Sequence, residues 1–172
     1  NALVKIREDM PLDRAALIGC GVTTGLGAAF NTAKIRPGQT AAVVGCGGVG
    51  LSIIQGCRIA GAKQIIAVDT AEWKLELAKT LGATDGILVG EGDSRKRVLE
   101  LSKGGVDFAF EAIGTAKTAK QVVGMVRTGG TAVFVGIVPI GTNVELHAAD
   151  IRSEEHPPEL QLRRNPLSPL PL

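Results

Sequence analysis

A group of glycines in the first third of the chain has the spacing of a phosphate-binding turn. The apolar run from Thr40 to Val44 is followed by Gly45, Gly47 and Gly50, in the pattern G-x-G-x-x-G. In such a turn the first glycine permits a sharp bend and the second lets a pyrophosphate approach the backbone. The third lets the next helix pack closely on the strand. A helix that begins there also offers free N–H groups and a partial positive charge to phosphate oxygens.

A carboxylate follows these glycines at the spacing that dinucleotide binding requires. The run from Gln64 is apolar until Asp69, which lies about twenty residues beyond the turn. A carboxylate at that place accepts hydrogen bonds from an adenosine ribose and repels the 2′-phosphate of NADP, so the two motifs predict an NAD site. Two alternatives stay open: a glycine turn that binds nothing, and Asp69 acting only as the N-cap of a helix starting near Ala71.

The composition is that of one globular domain. A chain of 172 residues, 45% of them hydrophobic, can bury a full core. A net charge of +2 with dispersed basic residues and 3% aromatic residues gives no indication of nucleic-acid binding. No apolar run approaches the roughly 20 residues that span a bilayer, so no membrane partner is expected. The first residues lack signal-peptide features and a start methionine, which indicates an excerpt of a longer chain.

The cysteines indicate a reducing compartment. The three cysteines, Cys20, Cys46 and Cys57, form neither a disulfide framework nor a C-x-x-C pair. We therefore expect a cytoplasmic location, and no complete zinc site built from these residues alone. Cys46 and Cys57 are expected to have no chemical role.

The alternation of strands and helices predicts an α/β fold, a doubly wound (Rossmann) sheet that is mostly parallel. Continuously apolar strands such as Ala41 to Val44 indicate a sheet covered on both faces. The predicted strands are 3–6, 40–44, 64–68, 86–89, 106–111 and 131–135, and the predicted helices are 11–18, 23–33, 49–60, 72–81, 94–102 and 115–126. The first helix is expected to stop at Gly19 to Gly21, Gly82 to end the fourth helix, and Ser94 to cap the fifth. In the last helix, one face should pack on the sheet through Ala119, Val122, Val123 and Val126.

The last stretch, 152–172, has a different composition. It contains five of the eight prolines of the chain, a density that neither a helix nor a central strand tolerates. This predicts a disordered or loosely docked C-terminal tail. Recognition of the tail as polyproline by a partner is the alternative.

Taken together, the motifs resemble the zinc-dependent alcohol dehydrogenases of the medium-chain dehydrogenase/reductase family. The similarity extends over about residues 1 to 151. It is carried by Asn1-Ala-Leu-Val-Lys-Ile6, Leu17-Ile-Gly-Cys-Gly-Val-Thr-Thr-Gly25, Gly45-Cys-Gly-Gly-Val-Gly50, Val68-Asp69, Gly104-Gly-Val-Asp-Phe-Ala-Phe-Glu-Ala-Ile-Gly114 and Val135-Gly-Ile-Val138. The second of these segments is most similar to the class III (formaldehyde dehydrogenase) branch.

The resemblance implies roles for individual residues. Cys20 would be a ligand of a catalytic zinc ion, Thr24 would lie beside the nicotinamide ring, and Lys74 would lie beside the ribose bound by Asp69. The other implied cofactor contacts are Gly45, Gly47, Gly48, Val49 and Gly50 in the turn, Ala112, Ile113 and Gly114 along the adenosine, and Val135, Gly136 and Ile137 at the carboxamide. The structural alternatives are a small buried residue for Cys20, a helix-start hydroxyl for Thr24, a solvated side chain for Lys74 and strand core for Val135.

The chain also departs from the family pattern. The family has two further catalytic-zinc ligands, a proton-relay hydroxyl and four structural-zinc cysteines before this segment, and a sixth strand after it. His147 and His156 match no ligand position. The expected organisation is a remnant of the catalytic domain at 1–21, an NAD-binding domain at 22–151, truncated before the last strand, and a non-homologous tail at 152–172. The segment from Val144 to His147 matches the part that pairs across a homodimer.

The sequence therefore predicts the nucleotide-binding part of an NAD-dependent oxidoreductase. The parent would transfer a hydride from a small alcohol, or from a thiol-bound hydroxymethyl group, to NAD, with zinc as Lewis acid. The chain alone is expected to bind NAD without turnover. The alternatives are a non-catalytic NAD-binding module, and another Rossmann-like enzyme such as a methyltransferase, which would not explain Cys20 and its flanking glycines.

Overall fold

The computed structural model describes residues 4–90 and 92–146. The expected tail at 152–172 and the two histidines, His147 and His156, lie outside the described residues.

Within the described residues, five parallel strands form one sheet with the strand order β3-β2-β1-β4-β5. The strands are β1 (Thr40–Val44), β2 (Gln64–Asp69), β3 (Asp85–Leu88), β4 (Val106–Glu111) and β5 (Val126–Phe134). The chain leaves β1 toward β2 on one side and returns to β4 on the other, so the order reverses between β1 and β4. In doubly wound sheets, ligands bind outside the carboxyl ends of the strands at this reversal. The predicted α/β, doubly wound parallel fold is confirmed.

The helices cover the two faces of this sheet. A continuous helical segment, Leu12–Thr32, precedes β1 and contains α1 (Leu12–Leu17), a π-helical turn (Ile18–Val22), α2 (Thr23–Gly27) and a second π-helical turn (Ala28–Thr32). The remaining helices are α3 (Gly48–Ile59), α4 (Glu72–Leu81), α5 (Ser94–Leu101) and α6 (Ala116–Val123). As expected, Gly82 ends α4, with a φ of +128°.

The sheet is packed on both faces, which explains why its strands are continuously apolar. Successive residues of β1 point to opposite faces. Val43 belongs to a buried cluster that includes Ile53 of α3 and Ala29 of the first helical segment. Val44 belongs to a second buried cluster that includes Val98 of α5.

The expectation that a helix ends at Gly19 to Gly21 is wrong. The helix continues through the π-helical turn, and the Oγ1 hydroxyl of Thr23 donates a hydrogen bond to the Ile18 carbonyl. Gly19 and Gly21 do not adopt the left-handed φ of a helix-ending glycine. Glycine lowers helix propensity but forms no obstacle to the helical backbone, so the chain stays helical here.

This continuous helix is long and apolar enough to cross a membrane by length and composition alone, with 21 residues and a mean hydropathy of 1.2. The sequence had indicated no such segment because no uninterrupted apolar run approaches the roughly 20 residues that span a bilayer. One helix of this kind is weak evidence for a membrane, since packed helices of soluble proteins meet the same criterion. Only a small part of this helix is buried, namely Gly25, Ala28 and Ala29, and Gly25 lies against Ser52 of α3.

Other boundaries differ from the sequence expectation. Val126 pairs with Val106 in the sheet, so it begins β5 and does not belong to the face of α6, on which Ala119 and Val122 are buried as expected. Asp93, not Ser94, caps α5, and its carboxylate accepts a hydrogen bond of 3.0 Å from the amide of Arg95.

The strand expected at 3–6 is also wrong where it can be checked. Residues 4–6 are described and lie in no strand, and no sheet contact stabilises an extended segment there. A short apolar run forms a strand only when a neighbour pairs with it.

Candidate functional site

The glycine turn between β1 and α3 has the geometry that its sequence predicts. Gly45 has a φ of +97°, which side chains rarely adopt, and its N–H donates to the Val68 carbonyl at 2.8 Å. A Cβ atom on Gly50 would overlap the carbonyl oxygen of Gly45, so no side chain fits there. A Cβ on Gly47 would meet no atom within 4 Å, so this part of the backbone faces open space. The turn thus combines a bend, an open approach and close packing.

The helix α3 starts directly at this turn. Its N-cap is Gly47, which makes no side-chain capping hydrogen bond, and Gly48 and Val49 lie in its first turn. The first N–H groups of a helix have no partner within the helix and attract anions. A Cβ on Gly48 would also meet nothing within 4 Å. The start of α3 is therefore accessible to a phosphate group.

Asp69 lies at the end of β2 and is 7% exposed. Its Oδ2 atom accepts a hydrogen bond of 2.7 Å from the amide of Cys46, and its Oδ1 atom accepts one of 3.0 Å from the amide of Ala71. The N-cap of α4 is Ala71, without a side-chain cap, so Asp69 does not have the capping role considered as an alternative. The carboxylate ties the glycine turn to β2. Because a carboxylate accepts about four hydrogen bonds, Asp69 keeps acceptor capacity for a ligand.

A lysine lies beside this carboxylate. The Nζ atom of Lys74 is 3.8 Å from Oδ1 of Asp69 and 5.7 Å from the centre of the Trp73 ring. This contact favours the ribose-side position expected for Lys74 over a freely solvated side chain. Trp73, which is 67% exposed, is thereby placed next to the same group.

Asp69, Lys74 and the glycine turn line a cleft of about 430 Å³ at the carboxyl ends of β1, β2 and β4. Val44 and Val68 form part of its apolar lining, and Asp69, Thr70 and Lys74 lie along one side. The opposite side is formed by residues that follow β4, namely Ala112, Ile113, Lys117, Thr118 and Gln121. An apolar floor with a few convergent polar groups is typical of a cofactor site.

The two loops expected to contact a cofactor lie next to each other. In the turn after β4, which includes Ala112, the side chain of Ile113 lies over the glycine turn: a Cβ on Gly45 would be 2.5 Å from its Cγ1 atom. In the turn after β5, the carbonyl oxygen of Ile137 would lie 2.5 Å from a Cβ on Gly114. Ile137 is 89% exposed. The first loop lines the cleft and the second lies beside it.

The strand-core alternative for Val135 has support as well. Val135 is partly buried against the first core cluster, and its amide donates to the Glu111 carbonyl at 2.9 Å. The amide of Gly136 donates to the same carbonyl at 2.9 Å. Sheet-like hydrogen bonding therefore continues beyond the end of β5, and Val135 both packs in the core and begins the loop.

Sequence reasoning gave no role to Glu111, although its carboxylate is fully buried at the base of this loop. Its Oε1 atom accepts hydrogen bonds from the amides of Ile113 at 3.0 Å and Gly114 at 2.8 Å. An acidic residue at the end of an apolar strand was the available signal. It is the same signal that identified Asp69 on β2.

Cys20 and Thr24 lie on the helical segment that packs beside the start of α3. A Cβ on Gly21 would be 3.9 Å from the carbonyl carbon of Gly48, and Gly25 packs against Ser52. Cys20 and Thr24 are both exposed and do not line the cleft. Because Cys20 is exposed, the alternative of a small buried residue is wrong for it.

The described residues fit a dinucleotide cofactor but do not form a complete metal site. The glycine turn leaves open space above Gly47, as a diphosphate requires. For a metal ion, the described residues contain no group of three or more His, Cys, Asp or Glu side chains that could hold it. Cys20 alone does not form a four-coordinate zinc site.

The other two cysteines are buried. Burial, assisted by the nearby carboxylate of Asp69, raises the pKa of the Cys46 thiol to about 12. Burial likewise raises the pKa of Cys57 to about 12. Both thiols are thus protonated at neutral pH, in agreement with the expectation that they have no chemical role.

Several solved structures with the same fold and clear sequence similarity are named as dehydrogenases. An alcohol dehydrogenase zinc-binding domain protein from Burkholderia ambifaria is 37% identical, with a TM-score of 0.82, over 86% of this chain and 40% of that one. Benzyl alcohol dehydrogenase from Acinetobacter calcoaceticus is 38% identical, with a TM-score of 0.82, over 86% of this chain and 41% of that one. A zinc-binding dehydrogenase from Sinorhizobium meliloti 1021, solved with bound NADP, is 33% identical, with a TM-score of 0.70, over 77% of this chain and 40% of that one.

The chain spans about two fifths of the length of these structures. A family model described as zinc-binding dehydrogenase matches residues 48–156, which include the elements from α3 to β5. This match extends over more than half of the chain, and it agrees with the solved relatives and with the geometry of the glycine turn. The chain belongs to the zinc-binding dehydrogenase family.

Proposed function

We propose that the chain is the NAD-binding domain, over residues 22–151, of a zinc-dependent alcohol dehydrogenase. The observation that carries this proposal is the junction of the glycine turn with Asp69. The backbone at Gly47 faces open space in which a diphosphate would fit. The buried carboxylate of Asp69, which can accept further hydrogen bonds, lies beside it. When bound, NAD supplies the redox chemistry, as acceptor of the hydride from the alcohol carbon while the hydroxyl proton is released.

The residues of this chain bind and orient the cofactor. The amides at Gly48 and Val49 would hold the phosphate oxygens at the start of α3, and Asp69 would accept hydrogen bonds from the adenosine ribose. Ala112, Ile113 and Gly114 would enclose the adenosine side. Val135, Gly136 and Ile137 would present backbone groups to the carboxamide, and Thr24 would lie beside the nicotinamide.

We propose NAD rather than NADP as the cofactor. A 2′-phosphate would bring two negative charges close to the carboxylate of Asp69, which is 7% exposed and poorly screened. Lys74, at 3.8 Å from this carboxylate, is already paired with it and offsets only part of the repulsion. One solved relative was obtained with NADP, so the preference is a property to be measured on this chain.

The remaining parts of the proposal concern the parent enzyme. The substrate is a small alcohol or, in line with the class III resemblance, a thiol-bound hydroxymethyl group, and the enzyme is a cytoplasmic homodimer. Cys20 is proposed as one zinc ligand, with further ligands outside the described residues. One cysteine does not make a four-coordinate zinc site, so the parent must supply the other ligands.

A fluorescence titration tests cofactor binding. Trp73 is the only tryptophan of the chain and lies beside Lys74, so bound NADH should quench its emission by energy transfer. We expect saturable quenching by NADH and at least about tenfold weaker binding of NADPH. Absence of saturable binding by either nucleotide would refute the proposal. A control titration with free tryptophan corrects for absorption by the nucleotide.

A non-catalytic NAD-binding module is the second candidate. It is favoured by the position of Cys20, which is exposed and belongs to no metal-binding group among the described residues. Zinc content and alcohol-dependent NADH formation separate the two candidates when they are measured on the full-length parent, because this chain alone is expected to bind NAD without turnover in either case. Stoichiometric zinc with turnover in the parent supports the enzyme, whereas a parent that binds NADH without either supports the module.

A further inference from the structure

The carboxylate of Glu111 is the most completely enclosed acidic group beside the cleft, with none of the residue exposed. Its Oε1 atom accepts hydrogen bonds from the amide of Ile113 at 3.0 Å, the amide of Gly114 at 2.8 Å and the hydroxyl of Thr118 at 2.7 Å. Its Oε2 atom is 3.1 Å from the amide of Gly114. Each of these donors belongs to the turn after β4 or to the first turns of α6. The carboxylate thus organises the side of the cleft that Ile113 and Thr118 form.

Glu111 also holds the second loop. Its carbonyl oxygen accepts hydrogen bonds of 2.9 Å from the amides of both Val135 and Gly136. A Cβ atom on Gly136 would overlap the Oε2 atom of Glu111 and the amide of Gly114. The carboxylate therefore packs directly against the backbone of the loop after β5, and one residue contacts both loops.

The hydrogen bonds of Glu111 also affect the glycine turn, through the side chain of Ile113. The Cγ1 atom of Ile113 would lie 2.5 Å from a Cβ on Gly45, so the position of Ile113 defines the wall opposite the turn. The amide of Ile113 is fixed by Glu111 at 3.0 Å. Without an acceptor there, the amides of Ile113 and Gly114 would lose their partner, and the turn would rearrange to satisfy them.

We propose that Glu111 is a positioning residue for the cofactor: its carboxylate holds the loops at 112–114 and 135–137 in the arrangement that binds the dinucleotide. This inference rests on the proposed binding of NAD in the cleft. The property that matters is the hydrogen-bond acceptor at Oε1, because three of the four hydrogen bonds to the carboxylate end there.

Two substitutions of Glu111 distinguish the effect of its hydrogen-bond acceptor from the effect of its side-chain volume. Glu111→Gln keeps an oxygen that can take the place of Oε1, whereas Glu111→Met keeps the length and removes both oxygens. In the full 172-residue chain we expect NADH binding within about threefold of wild type for Glu111→Gln and about tenfold weaker for Glu111→Met. Amide hydrogen exchange at Ile113 and Gly114 should accelerate in Glu111→Met without any ligand.

A matched control removes core packing elsewhere. Met125 is fully buried in the second core cluster, at the opposite end of the sheet from the cleft. We expect Met125→Ala to lower the unfolding temperature while the dissociation constant for NADH and the exchange at Ile113 stay at their wild-type values. If Glu111→Met does not fold, Gly136→Ala supplies the test, because its added methyl group displaces the carboxylate and should also weaken NADH binding and accelerate exchange at Gly114.

The outcomes distinguish the inference from the proposed function. If wild type binds NADH and Glu111→Met binds it equally well, the inference is wrong and the proposed function stands. Equal losses in Glu111→Gln and Glu111→Met would also overturn it, since charge rather than the acceptor would then matter. If the wild-type chain does not bind NADH, the proposed function has failed and the inference fails with it.

Discussion

The Oδ2 atom of Asp69 and the amide of Cys46 are joined by a hydrogen bond of 2.7 Å. The residue proposed to bind the ribose therefore also fixes the middle of the glycine turn. Each oxygen of this carboxylate has a backbone donor, Cys46 for one and Ala71 for the other, so the side chain is held in place before any ligand arrives. Such preorganisation lowers the entropy lost on binding.

Removal of this carboxylate should weaken NADH binding more than NADPH binding. Hydrogen bonds to a charged group contribute roughly 1.5–3 kcal/mol, so Asp69→Ala should raise the dissociation constant for NADH about 10- to 100-fold. The loss for NADPH should be smaller, because repulsion of the 2′-phosphate disappears as well. Fluorescence titration with both nucleotides measures the two constants.

Asp85 provides the control for this substitution. Its carboxylate accepts hydrogen bonds from the side chain of Gln64 at 3.1 Å and from the hydroxyl of Thr84 at 2.6 Å. Asp85 begins β3, so it lies at the amino ends of the strands, whereas the cleft lies at their carboxyl ends. Asp85→Ala should leave the affinity for NADH unchanged. Equal affinity of Asp69→Ala and wild type for NADH would remove Asp69 from the site.

Substitution by alanine should affect the stability of the protein strongly at one glycine of the turn and weakly at another. Gly50→Ala places a methyl group on the carbonyl oxygen of Gly45, so we expect destabilisation by about 3 kcal/mol or more. Gly47→Ala meets no atom within 4 Å, and the φ of Gly47 is −80°, so its unfolding free energy should change by less than about 1 kcal/mol. NADH binding should nevertheless weaken in Gly47→Ala, because the methyl group enters the space proposed for the diphosphate. Urea unfolding and NADH titration of both variants check these expectations, and a stable Gly50→Ala protein would contradict the packing described.

Stability in acid should depend on Asp107. Burial alone would raise the pKa of Asp107, but hydrogen bonds from the amide and hydroxyl of Thr40 and from the guanidinium of Arg127 outweigh it, and the net pKa is lowered. Because its pKa is lower in the folded state than in the unfolded state, Asp107 stabilises the fold at pH values above its unfolded-state pKa. This stabilisation is lost as the pH falls through the folded-state pKa. Asp107→Asn should therefore cost about 1–2 kcal/mol at pH 7 and less below about pH 4.

The measurement for this prediction is urea unfolding at a series of pH values. The difference in unfolding free energy between wild type and Asp107→Asn should shrink as the pH decreases from 5 to about 3. A difference that stays constant over this range would show that the carboxylate contributes through packing alone.

The native protein should have one accessible thiol. Cys20 is exposed, whereas Cys46 and Cys57 are buried, and burial raises the pKa of each of these two to about 12. At pH 8, only about one in ten thousand of such thiols is ionised, and the thiolate is the reactive form. A disulfide reagent should therefore modify one cysteine rapidly in wild type and none in Cys20→Ser. All three should react in urea, and rapid modification of Cys46 in the folded protein would contradict the burial described.

Much of this fold and of the glycine turn could be predicted from the sequence, because the evidence there is local. Gly45, Gly47 and Gly50 have roles set by sterics within a few residues, and strand β4 was predicted with the bounds that the structure has. Asp69 was identified by its place at a strand end, but its bond to Cys46 was not foreseen, since it joins residues from two different strand ends.

Errors arose where distant contacts decide the structure. The start of β5 at Val126 depends on pairing with Val106, and Met125 and Val126 read as a continuing helix without that partner. The helix through Gly19 and Gly21 was missed because glycine was given more weight as a terminator than its propensity warrants. The donors to the Glu111 carboxylate lie within seven residues of it, so its role in the turn could have been inferred from its place at a strand end, whereas its contact with the loop at 135–137 depends on the fold.

Helix α1 and the first π-helical turn contain no buried residue, and burial in this segment begins at Gly25, which packs against Ser52. The first half of the segment is thus held to the domain mainly at its C-terminal end. Thermal fraying can proceed from Leu12 without disturbing the sheet, and the cooperative unfolding unit of the domain begins near Gly25.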